Sequence, residues 1–254
     1  MAIVTIAAGK GGVGKTTTTL ALGAGLHELG RRPILLDVDP QAKLTKAGGV
    51  TPGGEYTAEL LEGRRELDDL VTTNEGLDLV PGSVSTARLA SQNAVPFIAR
   101  LRELGAGKLL VIDTPPGFVN APGRAAIAAA DILIVPLLLD PQSVDDAISD
   151  VLAIVEQYGG RSEMLVVGTR VEEGVKLTSF TLDDLAKSGI EVALRVPKRV
   201  AVQEAYLQGV SILAYDPKNA AADAYRSLAR LVLAKLARAE RHPSSSSRVA
   251  ATVV

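Results

Sequence analysis

Eight residues near the amino terminus carry the most specific chemistry in this chain: Gly9, Lys10, Gly11, Gly12, Val13, Gly14, Lys15 and Thr16. They satisfy the pattern G-x-x-x-x-G-K-[ST], and they lie between an apolar run and a helical pattern, as a polyphosphate-wrapping loop requires. The glycines let consecutive backbone N–H groups turn inward on phosphate oxygens, while the helix that follows offers its positive end to the same anion. In such a loop Lys15 neutralises the β and γ phosphates and Thr16 ligates Mg2+. Phosphoryl transfer to water asks for more: a metal to offset charge, donors on the γ phosphate, and a group that orients the attacking water. Three aspartates are placed for these tasks at the ends of apolar runs. Asp37 and Asp39 lie in Leu-Leu-Asp-Val-Asp-Pro-Gln, and Asp113 opens Asp-Thr-Pro-Pro-Gly. The chain has no cysteine, which removes thiol nucleophiles, disulfides and iron–sulfur ligation, and its two histidines, His27 and His242, read as structural or solvated.

Positioning these groups requires strands that end together. Apolar runs at 3–8, 34–37, 77–80, 109–113, 132–136, 164–169 and 190–196 read as strands, with helical patterns between them at 15–29, 84–90, 95–104, 122–130, 143–158, 178–188 and 220–239. The alternation predicts an α/β fold with a doubly wound, mainly parallel sheet and helices on both faces. Segments rich in Gly and Pro, 48–54 and 115–123, fall where strands end, which is where open α/β sheets place ligands. At 254 residues and 47% hydrophobic, the chain suits one large domain, expected over 1–239. Aromatic residues are only 3%, so Ala, Val, Leu and Ile must build the core. From residue 240 the pattern gives way to Arg241, His242, Pro243, four serines and a short apolar end, and a disordered tail is expected there. No run reaches the roughly eighteen apolar residues of a membrane span, the start lacks a basic leader, and no internal repeat is found, so a soluble, cytoplasmic protein is expected. The formal net charge of −2 means that any binding to DNA must come from a local basic surface.

The second lysine of the loop, Lys10, is the informative departure, because one lysine already serves the bound phosphates. The string Lys-Gly-Gly-Val-Gly-Lys-Thr-Thr, residues 10–17, resembles the deviant Walker A family of ATPases, which includes ParA, MinD and the nitrogenase iron protein. That resemblance implies that Lys10 reaches across a homodimer interface to the partner's nucleotide, so that ATP is sandwiched between two subunits. It also implies that Gly11, Gly12, Val13, Gly14, Lys15, Thr16 and Thr17 bind ATP, that Asp113 is a Walker B aspartate holding Mg2+ through a water, that Asp39 positions the nucleophilic water, and that Asp37 supports the magnesium region. With Lys10 and Lys15, Asp39 completes the implied catalytic set.

The segment 196–228, with Val-Pro-Lys-Arg-Val, Gly-Val-Ser-Ile-Leu-Ala-Tyr-Asp-Pro-Lys and Ala-Tyr-Arg-Ser-Leu, is similar to the C-terminal part of ParA proteins. The resemblance thus implies Pro197 and Lys198 beside the nucleotide, nonspecific binding of double-stranded DNA by the ATP-bound dimer, nucleoid association, and release when a ParB-like partner stimulates hydrolysis. Without a preceding DNA-reading domain the chain looks like the short form. For DNA the candidates are Lys198, Arg199, Lys218, Arg226 and Arg230, since nonspecific duplex binding needs only cations along one face. Two positions depart from the family: Ala201 stands where a basic residue is common, and Glu172 lies near the place of an adenine-side asparagine. Two other readings share the loop. A MinD-like membrane ATPase would need a basic, amphipathic C-terminal helix, which the serine-rich end does not supply. A small-molecule synthetase of the dethiobiotin type would generally lack the equivalent of Lys10.

Overall fold

The computed structural model describes residues 2–117, 120–172 and 174–241. Among these residues, eight strands form one sheet: β1 (Ala2–Ile6), β2 (Pro33–Asp37), β3 (Thr72–Asn74), β4 (Leu77–Val80), β5 (Leu109–Asp113), β6 (Ile132–Leu138), β7 (Glu163–Val171) and β8 (Val192–Pro197). Their spatial order is β3-β4-β2-β5-β1-β6-β7-β8, parallel throughout except for the antiparallel edge pair β3 and β4. Every residue of β1, β2 and β5 is buried, as expected for strands covered on both faces.

Among the described residues, ten α-helices flank the sheet: α1 (Lys15–Glu28), α2 (Lys43–Ala47), α3 (Tyr56–Leu61), α4 (Val95–Gly107), α5 (Ala121–Ala129), α6 (Pro141–Gln157), α7 (Lys176–Lys187), α8 (Val200–Leu207), α9 (Ile212–Tyr215) and α10 (Ala220–Arg241). Alternation along each strand divides the core in two. Val4, Ile6, Leu35 and Val111 face α1, α2, α9 and α10, whereas Ile3, Leu36, Leu110 and Ile112 face α3, α4, α5 and α6. In α10, Ala221, Ala222, Tyr225, Leu228, Ala229 and Val232 recur at helical spacing and are buried. This stripe meets α1 closely, because a Cβ on Gly25 would stand 3.0 Å from the Cβ of Ala229.

The expected doubly wound architecture is the one observed, with differences at the margins. Three polar residues, Thr72–Asn74, add a strand that hydrophobic periodicity does not show. Glu75 and Gly76, both at positive φ, turn the chain so that these residues pair with β4. The run read as ending at Pro136 continues to Leu138. β1 pairs with β6 only as far as Ile134, so the missing N–H of Pro136 interrupts no ladder with β1. Residues 84–89 form a 3-10 helix, and α2, α3, α8 and α9 are too short for their periodicity to stand out. Helix α10 continues to Arg241, and the rest of the expected tail, 242–254, lies outside the described residues.

Candidate functional site

The register of the central strands assembles the site. Ile6 and Asp37 both stand opposite Asp113, so the chain leaves β1, β2 and β5 at one level of the sheet's carboxyl edge. The end of β1 and the loop after it are held by the segment that follows β5. Gly117 N donates to Gly9 O at 2.8 Å, and Thr114 Oγ1 donates to Ile6 O at 2.8 Å. Gly12 and Gly14 take φ of 78° and 94°, a region costly for a residue with a Cβ. Gly14 is the N-cap of α1 and offers no side-chain cap, so the first amides of the helix remain donors for an anion.

Lys15 is 7% exposed, and its Nζ donates to Lys10 O at 3.0 Å and Ala8 O at 3.3 Å. Burial pulls its pKa down, opposed by the carboxylates of Asp113 and Asp39. Asp113 is fully buried. Thr16 Oγ1 donates to its Oδ2 at 2.8 Å, and Thr19 Oγ1 stands 3.3 Å from its Oδ1. Burial, then the neighbouring charge of Asp37, pushes the Asp113 carboxyl up to about 8, against the Thr16 hydrogen bond and the Lys15 cation.

A magnesium-bound triphosphate fits these residues. A hydroxyl and a carboxylate, both hard oxygen donors, share a hydrogen bond beside a buried ammonium, at the mouth of a helix with uncapped amides. Thr16 and Asp113 would hold the metal. Asp39 is almost fully buried, one oxygen fixed by the amide of Gln41 at 2.9 Å. Asp37 stands opposite Asp113, and both its oxygens are engaged by the loop that follows it. Its oxygens accept from Asp39 N at 3.1 Å, Thr45 N at 2.8 Å and Thr45 Oγ1 at 2.7 Å, and Thr45 Oγ1 in turn accepts from Gly82 N at 2.8 Å. Asp37 therefore braces the loop that carries Asp39 and the start of α2. Its own pKa is raised to about 6, mainly by burial.

The remaining candidates lie away from this cluster in sequence and differ in their engagement. Pro197 ends β8, Lys198 N donates to Val171 O at 3.0 Å, and Lys198 Nζ pairs with Glu172 at 2.5 Å, a contact across the ends of β7 and β8. Arg199 is the N-cap residue of α8 and donates to the carbonyl of Lys198 at 2.8 Å. Lys218 lies in the turn before α10, and Arg230 lies on α10 with Ser227 Oγ at 3.5 Å. Arg226 is committed to the fold. Its guanidinium clasps Glu28 of α1 at 2.7 and 3.0 Å and also reaches Asp223 and Pro217 O. Sequence reasoning missed the supporting threonines Thr19 and Thr45, which belong to no motif, and gave no role to Thr114 inside Asp-Thr-Pro-Pro-Gly; their partners Asp113, Asp37 and Ile6 show their use only in the fold.

Raised carboxyls give the pH dependence a definite sign. Between its ordinary 3.8 and about 8, Asp113 binds more proton in the folded than in the unfolded chain, so stability falls as pH rises through that window. Without nucleotide or metal, Tm is expected to drop between pH 5 and pH 8, and Asp113→Asn is expected to flatten the drop; differential scanning calorimetry at the two pH values measures both.

A family model described as an AAA domain matches residues 1–161. The sporulation initiation inhibitor protein Soj of Bacillus subtilis is 30% identical over 263 residues, covering 91% of this chain and 98% of that protein. The chromosome-partitioning ATPase Soj of Thermus thermophilus is 31% identical over 251 residues, covering 92% and 96%. Among solved structures, the ATP complex of a substituted form of Cyanothece McdA superimposes with a TM-score of 0.79 at 23% identity, covering 92% of this chain and 96% of that one. The septum site-determining protein MinD of Pyrococcus horikoshii with Mg-ADP does so at 0.75 and 21%, covering 98% and 99%. Among the described residues no helix is long and apolar enough to cross a membrane. Similar to these relatives over nearly its whole length, and carrying the phosphate-loop pattern with its buried lysine, this chain belongs to the ParA/MinD family of P-loop ATPases.

Proposed function

We propose that this ATPase is a nucleotide-timed switch that positions DNA or another cargo, dimerising around ATP and resetting when it hydrolyses ATP to ADP and phosphate. The observation that carries this reading is the pair of lysines in one phosphate loop. Lys15 folds back onto the carbonyls of Ala8 and Lys10, serving its own subunit's loop, while Lys10 occupies a partly exposed position in the same loop. A second cation is of use to the partner's triphosphate, whose charge then holds two subunits together.

Within each subunit the residues divide the work. Lys15 neutralises the β and γ phosphates. Thr16 and Asp113 would hold Mg2+, which offsets charge on the transferring phosphoryl group. Asp39 orients the attacking water, held in place by the Gln41 amide and by the Asp37–Thr45 brace beneath it. Pro197 and Lys198 lie at the carboxyl end of β8, where an open α/β sheet places its ligand's distal part.

The dimer would bind nonspecific duplex DNA through Lys198, Arg199, Lys218 and Arg230, placing it on the nucleoid of a cytoplasm. Arg226 contributes by anchoring α10 to α1 through Glu28 and not as a free phosphate contact. A ParB-like partner on the cargo would accelerate hydrolysis and release the DNA. The relatives named as chromosome-partitioning proteins support this reading.

Size-exclusion chromatography of the Asp39→Ala variant with duplex DNA tests it. In ATP and Mg2+ a dimer co-eluting with DNA is expected, in ADP a monomer eluting apart, and in Lys10→Ala a monomer that still binds ATP. A monomer in ATP, or a burst of ADP that depends on a small molecule and not on DNA or a partner, would overturn the proposal.

A further inference from the structure

Thr169, a buried threonine far from the loop in sequence and outside every motif, touches the phosphate loop. Thr169 lies in β7 at an irregularity: the pairing with β8 shifts register between Gly168 and Val171, and Arg170, next in the chain, takes a left-handed φ of 51°. A bulge of this kind re-aims a side chain. Here it aims Thr169, 3% exposed, at the loop after β1. Thr169 Oγ1 donates to Val13 O at 2.8 Å and also stands 3.1 Å from Leu137 O at the end of β6. A hydroxyl has one proton, so the two carbonyls share it, and the shorter contact goes to the phosphate loop. The other branch of the side chain is used as well. Thr169 Cγ2 lies 3.6 Å from where a Cβ on Gly14 would stand, so its methyl packs on that glycine.

The consequence follows from the planarity of the peptide bond. In a trans peptide the C=O of one residue and the N–H of the next point in opposite directions. Pinning the Val13 carbonyl outward, toward β7, therefore aims the Gly14 N–H inward, into the cradle where loop amides meet phosphate oxygens. Gly14, at φ 94° and without a Cβ, has little stiffness of its own to hold that plane. We propose that Thr169 is a positioning residue for nucleotide binding, which sets the Val13–Gly14 peptide plane through its hydroxyl. The inference rests on the phosphate loop binding ATP, and it adds a determinant from the other half of the chain, 156 residues away in sequence.

Loop amides cradle the diphosphate portion shared by ATP and ADP, so the contribution is uniform between ground and transition states. Loss of the hydroxyl is thus expected to raise KM and leave kcat nearly unchanged. Thr169→Val keeps the shape and removes the donor, whereas Thr169→Ser keeps the donor and removes the methyl. Titration with a fluorescent ADP analogue and Mg2+ is expected to show about tenfold weaker binding for Thr169→Val, the scale of one buried hydrogen bond, and Thr169→Ser within about threefold of the unaltered protein. The KM for ATP is expected to move in parallel. A Thr169→Val protein that melts earlier yet binds the analogue as tightly as the unaltered protein would overturn the inference and leave a merely structural threonine. So would a Thr169→Ser protein as weak as Thr169→Val. Should Thr169→Val not fold, Thr169→Ala against Thr169→Ser decides in the same way, with weak binding expected for alanine alone. Lys15→Ala separates the two levels: if it too binds normally, the nucleotide reading itself fails, whereas its failure beside a normal Thr169→Val condemns only the role of Thr169.

Discussion

Asp39→Ala is expected to slow ATP turnover by about 10²–10³-fold at saturating ATP while leaving ATP binding and the ATP-dependent dimer intact. The carboxylate is buried near the start of the loop after β2, fixed by the Gln41 amide, and close enough to Lys15 to act on its charge. In the proposed mechanism it orients a water and does not bind phosphate, whose negative charge it would repel. The Asp37–Thr45 brace is separate from the Asp39 side chain, so the truncation removes the orienting group without dismantling the loop. Steady-state phosphate release and a nucleotide titration, run on the same preparation, measure the two halves of the expectation. Equal turnover in the variant and the unaltered protein would remove Asp39 from the reaction.

The second large effect is at Lys15. Lys15→Ala is expected to weaken both ATP and ADP by about 10²–10³-fold, in the range that truncating one partner of a buried charge pair costs. The ammonium is buried and lies beside Asp113 and Asp39. Without it, a triphosphate would meet those acidic groups without the buried cation that lies among them, so the loss includes repulsion as well as a missing attraction. Isothermal titration with ADP and Mg2+ is the direct measurement, and an affinity within about threefold of the unaltered protein would show that the phosphates bind elsewhere. The contrast between the variants is informative. Asp39→Ala acts on rate and Lys15→Ala on binding, although both residues lie within the same buried cluster.

Much of this site was legible in the chain because its parts are local. A strand, a glycine-rich turn, a lysine and the start of a helix follow one another within the first 16 residues, and each leaves its mark in order: an apolar run, a cluster of glycines, a cation, a helical pattern. Asp37, Asp39 and Asp113 were legible for a related reason, since each closes or follows an apolar run and strand ends are where such folds do chemistry. Less was legible at the edges. The strand Thr72–Asn74 has no apolar pattern and exists because the exposed edge of β4 offers it hydrogen bonds. Arg226 reads as one basic residue among several, and only the packing of α10 on α1 shows that it is taken by Glu28.

From its sequence alone, then, the chain determined the class of fold, the phosphate loop and the strand-end carboxylates, because periodicity and short-range spacing encode what neighbouring residues do together. Tertiary structure decided which way those groups face: Asp37 into Thr45, Asp113 toward Thr16, and the Val13 carbonyl toward Thr169. The physical reason is that a buried polar atom must find its partner wherever the fold supplies one, and such partners come from anywhere in the chain.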